Sequence, residues 1–263
     1  MADKIWRHTE AIHNGWRLYV AENPPLVEVT ATLPRMLMQA AFYTLIAGPA
    51  AQRYAFIGVV AFVACSQLIV SVGDIPLTEQ WYDTFYRLRT GVLSPVSVYL
   101  CRTLPYVGSA AIATLLVLGL DGLLLGQQDT VVRLLPFTPL YLLAVVTTAS
   151  FALALAALAI GRANEILVGN VASYLMLAGS AVVTPLDSLP WLSHLGDVLP
   201  LTHALRAIRA GVDGRPWGHE AAVEAAIGLG WLTVAVGTIA WGTARAGGWR
   251  LRHRFRRSVA VRG

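Results

Sequence analysis

Charge is what this sequence lacks. Asp, Glu, Lys and Arg make up 13% of its 263 residues, where a soluble domain carries about 25%. The hydrophobic share is 56% and the mean hydropathy is +0.59. So few charges cannot cover a globular surface, so lipid must cover it, and the chain reads as a polytopic membrane protein. Lysine is almost missing, with Lys4 alone. That excludes a GxxxxGK[ST] phosphate loop, so the chain binds no ATP by that route and no cofactor is expected on it. No GxSxG occurs. His219-Glu220 starts an HExxH pattern, but Val223 stands where the second His belongs. The two cysteines, Cys65 and Cys101, sit in or beside apolar runs without metal-ligand spacing, which suits packing. An apolar signal segment is missing from the first 28 residues, which are broken by charges. The net charge of +5 reads as arginine at membrane edges rather than as a nucleic-acid surface.

What is present is long apolar runs between charges. They predict an all-α fold of six transmembrane helices, at about 33–52, 54–73, 103–122, 136–161, 166–186 and 222–245, in a single transmembrane domain over 1–263. The runs are continuously apolar rather than alternating, which favours helices over barrel strands. Arg35, near the start of the first run, is expected to snorkel to the interface. Only five of the 20 Lys and Arg, namely Arg53, Arg133, Arg206, Arg209 and Arg215, then fall outside, which places both termini in the cytoplasm. The basic tail 246–263 anchors the chain beside anionic lipid. Residues 3–30 mix Trp6, Trp16 and Tyr19 with Lys4, Arg7 and Arg17. They predict an interfacial helix broken at Asn23-Pro24-Pro25.

Between the charges that bound them, such as Arg35, Asp121, Glu224 and Arg245, the runs hold only weak polar groups, such as Gln39, Ser66, Gln67, Thr147 and Ser173. An intramembrane enzyme or proton-coupled carrier needs ionisable groups there, so neither is expected. Small residues crowd spans four and five, which suits close helix packing or a dimer seam.

Two connections stand out. In the longer cytoplasmic loop, Trp81, Phe85 and Leu88 share one helical face, with Glu79, Asp83 and Arg87 opposite. A short amphipathic helix there can lie on lipid or dock into a partner. Residues 187–211 are too polar and Pro-broken to span. They predict an extracellular interfacial or re-entrant helical hairpin between spans five and six. Its cationic or titratable residues, His203, Arg206 and Arg209, run against the positive-inside rule. Together with Trp191 at interface depth they are candidates for an extracellular gate or an anionic-substrate contact, with headgroup anchoring as the alternative.

The phrase Leu93-Ser94-Pro95-Val96-Ser97 before span three, and the segment Pro185, Leu189-Pro190-Trp191-Leu192, Pro200-Leu201-Thr202-His203-Ala204-Leu205 and Arg209, resemble the ABC-2 type exporter permeases of bacteria. This group includes drug-resistance and polysaccharide export subunits. The resemblance implies a multi-pass bacterial cell (inner) membrane protein that pairs with a second permease copy or paralogue. It implies a separate cytoplasmic ABC ATPase subunit that uses the ATP. It also implies that 79–91 is a coupling helix, with Trp81, Asp83, Phe85, Arg87 and Arg89 as ATPase-contact candidates. The cargo would be a hydrophobic natural product, a drug or a lipid-linked glycan. The alternative is a secondary carrier or channel without an ATPase.

Overall fold

The computed structural model describes residues 2–81, 91–159, 165–185 and 190–260, with side chains over 5–76, 91–158, 167–185 and 191–243. Every regular element among the described residues is helical. They run α1 (Ala2–Glu22), α2 (Leu33–Ile46), α3 (Gly48–Trp81), α4 (Pro95–Leu124), α5 (Gln128–Leu134), α6 (Thr138–Ala159), α7 (Glu165–Gly179), α8 (Pro190–Gly196), α9 (Thr202–Val212) and α10 (Gly218–Ala260).

Four helical stretches are long and apolar enough to cross a membrane: Gly48–Pro76, Pro95–Leu124, Gln128–Leu158 and Gly218–Thr243. Two expected spans take a different form. The run expected at 33–52 stops at Ile46, because Gly48 turns the chain at φ +74, a conformation that glycine adopts without strain. It begins earlier instead. A turn at Pro25–Val27 and a π-helical turn at Glu28–Thr32 lead into α2. The resulting run, 25–46, is about 33 Å long at 1.5 Å per residue. It therefore carries Glu28 and Arg35 inside it. The run expected at 166–186 ends as a helix at Gly179, with its apolar part at Leu167–Gly179. That is about 20 Å, shorter than a hydrocarbon core of about 30 Å.

Charges do not mark helix ends in the other spans either. Asp121 lies inside α4 and Glu224 inside α10, and both are fully buried. This corrects the expectation of spans without buried carboxylates. A count of gaps between charges must miss any charge that a tertiary partner or the fold itself encloses.

The two central helices are α3 and α6. Val59, Val60, Ala61 and Val72 of α3 and Tyr141, Ala144, Val145 and Ala154 of α6 are completely enclosed. Alanine dominates the inner turns of α6, and small residues let helix backbones approach. Gly228 of α10 lies so close to Thr147 of α6 that an added Cβ would sit 2.5 Å from its methyl carbon. Tyr141 donates from its hydroxyl to the Ile57 carbonyl at 3.1 Å, fixing α6 against α3.

The amphipathic helix α1 does not lie free. Its Gly15 backs onto the Cys101 carbonyl of α4, and Tyr19 stacks edge-on with Tyr106 at 4.9 Å. Tyr106 donates to Glu22 at 2.9 Å, and Tyr19 donates to Glu28 at 3.2 Å. The break at Pro24 follows from its extended ψ of 139 and its position just before the next helical turn.

Candidate transport groove and hairpin plug

Three helices bring polar side chains to one lateral face. Arg35 and Gln39 come from α2, Ser66 and Gln67 from α3, Asn170 and Ser173 from α7. They line a cavity of about 240 Å³ whose apolar wall includes Phe62 and Val63. Arg35, Gln39 and Tyr43 recur at i, i+4 and i+8, and so stack on one face of α2. Asn170, Ser173 and Tyr174 do the same on α7 at i, i+3 and i+4. The Arg35 guanidinium donates to Gln67 Oε1 rather than extending away along the membrane edge. Gln67 in turn donates to Ser71 at 3.2 Å. Among the described residues no Asp or Glu lines the cavity.

The cavity opens sideways onto an apolar surface. Met38, Phe42, Leu167, Val171 and Tyr174 are exposed there, Tyr174 by 68%. A polar recess with a guanidinium inside a lipid-facing surface is expensive, at about 2.5–3.5 kcal/mol for a central arginine on insertion scales. Such recesses face a water-filled path or another protein surface.

Gln67 lies 19 residues after Gly48, or about 28 Å along α3. Asn170 lies only five residues, or about 8 Å, into α7. The groove therefore sits in the half of the bundle away from the hairpin formed by α8 and α9.

That hairpin is a plug tied down by carboxylates from α10. The first N–H groups of a helix lack partners within it and favour negative charge. Here Glu224 supplies both needs. It accepts from Leu201 N at 2.9 Å and Ala204 N at 3.0 Å, while Thr147 of α6 donates to it at 2.5 Å. One turn earlier, Glu220 meets His203 Nδ1 at 2.6 Å, and His203 Nε2 faces the Asp197 carbonyl at 3.3 Å. Arg206 pairs with the Asp197 carboxylate at 2.8 Å. On the far side, Thr202 donates to Ser180 and Ser180 donates to the Pro200 carbonyl. Gly196 touches the end of α7 so closely that a Cβ would stand 2.1 Å from the Gly179 carbonyl oxygen.

Arg209 is the deepest cation of the plug. Its guanidinium stacks 3.5 Å from the Tyr54 ring centroid and donates to the Tyr54 and Val182 carbonyls at 3.1 and 3.2 Å. Of the gate candidates, Trp191 is 67% exposed and Arg206 partly exposed, whereas His203 and Arg209 face inward to protein partners.

The coupling candidates Asp83, Phe85, Arg87 and Arg89 lie outside the described residues, and Trp81 is the last residue of α3 with its side chain also outside them. The phrase that follows has a plain structural role. Ser94 caps α4 by accepting from Ser97 N at 3.2 Å, and Pro95 takes the first helical position. Among the described residues no group of three or more His, Cys, Asp or Glu is placed to hold a metal ion.

Sequence reasoning noticed Gln39, Ser66, Gln67 and Ser173 singly and read Arg35 as an edge residue. The signal it missed is that the polar residues recur on one face of each helix. Glu220 and Glu224 were read as loop and span boundary, although their i, i+4 spacing places them on one helix face.

The described residues are all-helical, with several apolar helices long enough to cross a membrane, which defines a multi-pass membrane protein. The description of ABC-2 type transporters matches residues 17–212, about three quarters of the chain, and the protein belongs to that family. It is thus a transporter permease subunit. A search of curated proteins returns no match.

Proposed function

We propose that this chain is the membrane subunit of an ATP-driven exporter of a bacterial inner membrane, working with a second permease copy or paralogue and with separate cytoplasmic ATPase subunits that use the ATP. The helical run 25–46, the four long stretches, and α7 completed by its hairpin make six passes. Both termini are cytoplasmic and the α8–α9 plug faces out, in keeping with the arginine distribution.

One observation carries the path assignment: the polar groove of Arg35, Gln39, Gln67 and Asn170 opens through an apolar lateral face. Two such faces meeting across a dimer hide the polar groups from lipid and leave a central route. The groove lies in the cytoplasmic half and the plug closes the outer half. ATP-driven closure of the partner subunits rocks the bundles and opens the plug, with Arg206 and Trp191 at its rim. Residues 79–91 dock into the ATPase, with Phe85 and Arg87 as the main contacts. The cargo is a hydrophobic natural product, a drug or a lipid-linked glycan.

The test is an inter-copy disulfide. In membranes, Tyr174→Cys on the exposed face of α7 should yield a reducible dimer upon oxidation. A monomer under the same conditions, with the protein folded, removes the path from the α7 face. The reading as a carrier or channel without an ATPase has one observation in its favour, the fully buried Asp121, whose carboxylate oxygens have no hydrogen-bond partner among the described residues.

A further inference from the structure

We infer that the groove selects an amphiphile with an anionic head, taken from the cytoplasmic half of the membrane; this deepens the path assignment above and rests on it. Among the described residues Arg35 is the only charged one lining the cavity. Arginine carries five N–H donors in a rigid fork that matches phosphate or carboxylate in bidentate fashion. Among the described residues Arg35 meets one acceptor, Gln67 Oε1. Among the described residues no carboxylate meets the rest of the fork, so none of them neutralises the positive charge of the groove. Nearby Gln39, Asn170, Ser66 and Ser173 add neutral donors and acceptors that suit an oxygen-rich head.

The rest of the wall suits a tail. Phe62 and Val63 are buried beneath the groove, and Val70 and Tyr174 are exposed at its edge. A ligand lying with its head on Arg35 thus places its apolar part against Val70 and Tyr174, toward the membrane. Cationic and neutral amphiphiles gain the same apolar contacts, but a cation meets an uncompensated guanidinium. In a partly desolvated site a like-charge contact is strongly unfavourable. Volume sets the scale. The cavity, at about 240 Å³, is below the roughly 300–1,000 Å³ typical of a site that encloses a drug-sized molecule. One copy therefore holds the head, and the facing copy completes the enclosure.

The source of the anion is either a membrane lipid head or a free amphiphile, and the experiment separates them. The full chain, in nanodiscs of phosphatidylcholine, is titrated with labelled dodecyl phosphate, and with dodecyltrimethylammonium, which has the same tail and the opposite charge. Wild type should favour the phosphate by roughly tenfold or more, about 1.4 kcal/mol. Arg35→Gln should abolish that preference, Arg35→Lys should keep part of it, and Arg53→Gln, an exposed arginine outside the groove, should leave it intact. Doping the nanodiscs with phosphatidic acid then identifies the source. Competition marks a lipid head and its absence marks a free amphiphile, and either keeps the anionic assignment.

Equal affinity for the two probes, an unchanged preference in Arg35→Gln, or the same loss in Arg53→Gln overturns it. Binding of both probes without charge preference, with a Tyr174→Cys dimer still formed, removes the anionic head but leaves the path. Binding of neither probe removes the groove as a ligand site. Failure of the disulfide alone removes the path at the dimer seam.

Discussion

The Glu224 carboxylate reaches across from α10 to accept the Leu201 backbone N–H at 2.9 Å. A side chain from one membrane helix thereby caps another that does not cross. Leu201 is held at φ +80, a left-handed conformation rare for a branched side chain. The cap and the strained residue are one unit: the turn aims the first N–H groups of α9 at the carboxylate. Replacing Glu224 by Ala leaves buried donors without a partner, at about 1–3 kcal/mol for each. Glu224→Ala should therefore lower the melting temperature of the purified protein sharply. Glu224→Gln keeps one acceptor oxygen and should fall between it and wild type. Equal melting for all three would remove the cap from the account.

Arg209 seats the plug on α3, and its contact depends on Gly58. A Cβ at Gly58 would stand 2.1 Å from the Val182 carbonyl oxygen and 2.8 Å from the guanidinium. Gly58→Ala should destabilise by about 1–3 kcal/mol, as overpacking does. Arg209→Lys keeps the charge but loses the planar stacking on Tyr54, and should lose about 1 kcal/mol. Thermal unfolding followed by fluorescence-detected size exclusion checks both. No change in Gly58→Ala would mean that the chain near Val182 is free to move away.

Much of the architecture was legible because apolar length has one dominant cause. Runs such as 54–73 and 103–122 have few ways to exist except as membrane helices. The phrase Leu93–Ser97 carries only a family resemblance in the sequence, although its Ser-Pro start, with Ser three residues on from the first, is a local cap signal. What escaped was tertiary. Charge spacing placed the end of the first span at 52, but Gly48 adopts its left-handed turn to pack α2 back along α3. Glu224 looked like a boundary because its compensating N–H groups lie more than twenty residues away in sequence. The groove escaped for the same reason: Arg35, Gln67 and Asn170 are each unremarkable until three helices meet.

The cap at Ser94 gives a local test near the proposed coupling loop. Ser94→Ala should cost about 1 kcal/mol of stability, and Ser94→Asp should restore it. A larger loss of ATPase coupling than of melting temperature in Ser94→Ala would show that α4's start orients the loop preceding it. Parallel losses assign the serine to stability alone.

The central claim is that a separate ATPase drives this permease. The most direct measurement is co-purification of the chain with a co-expressed ABC ATPase, for wild type and for the Phe85→Ala, Arg87→Ala double variant. The account predicts that the ATPase accompanies wild type in stable amounts, and that the double variant inserts in the membrane but loses it. A wild-type permease that transports with no ATPase bound, or with the phosphate-loop lysine of that ATPase mutated, would contradict it.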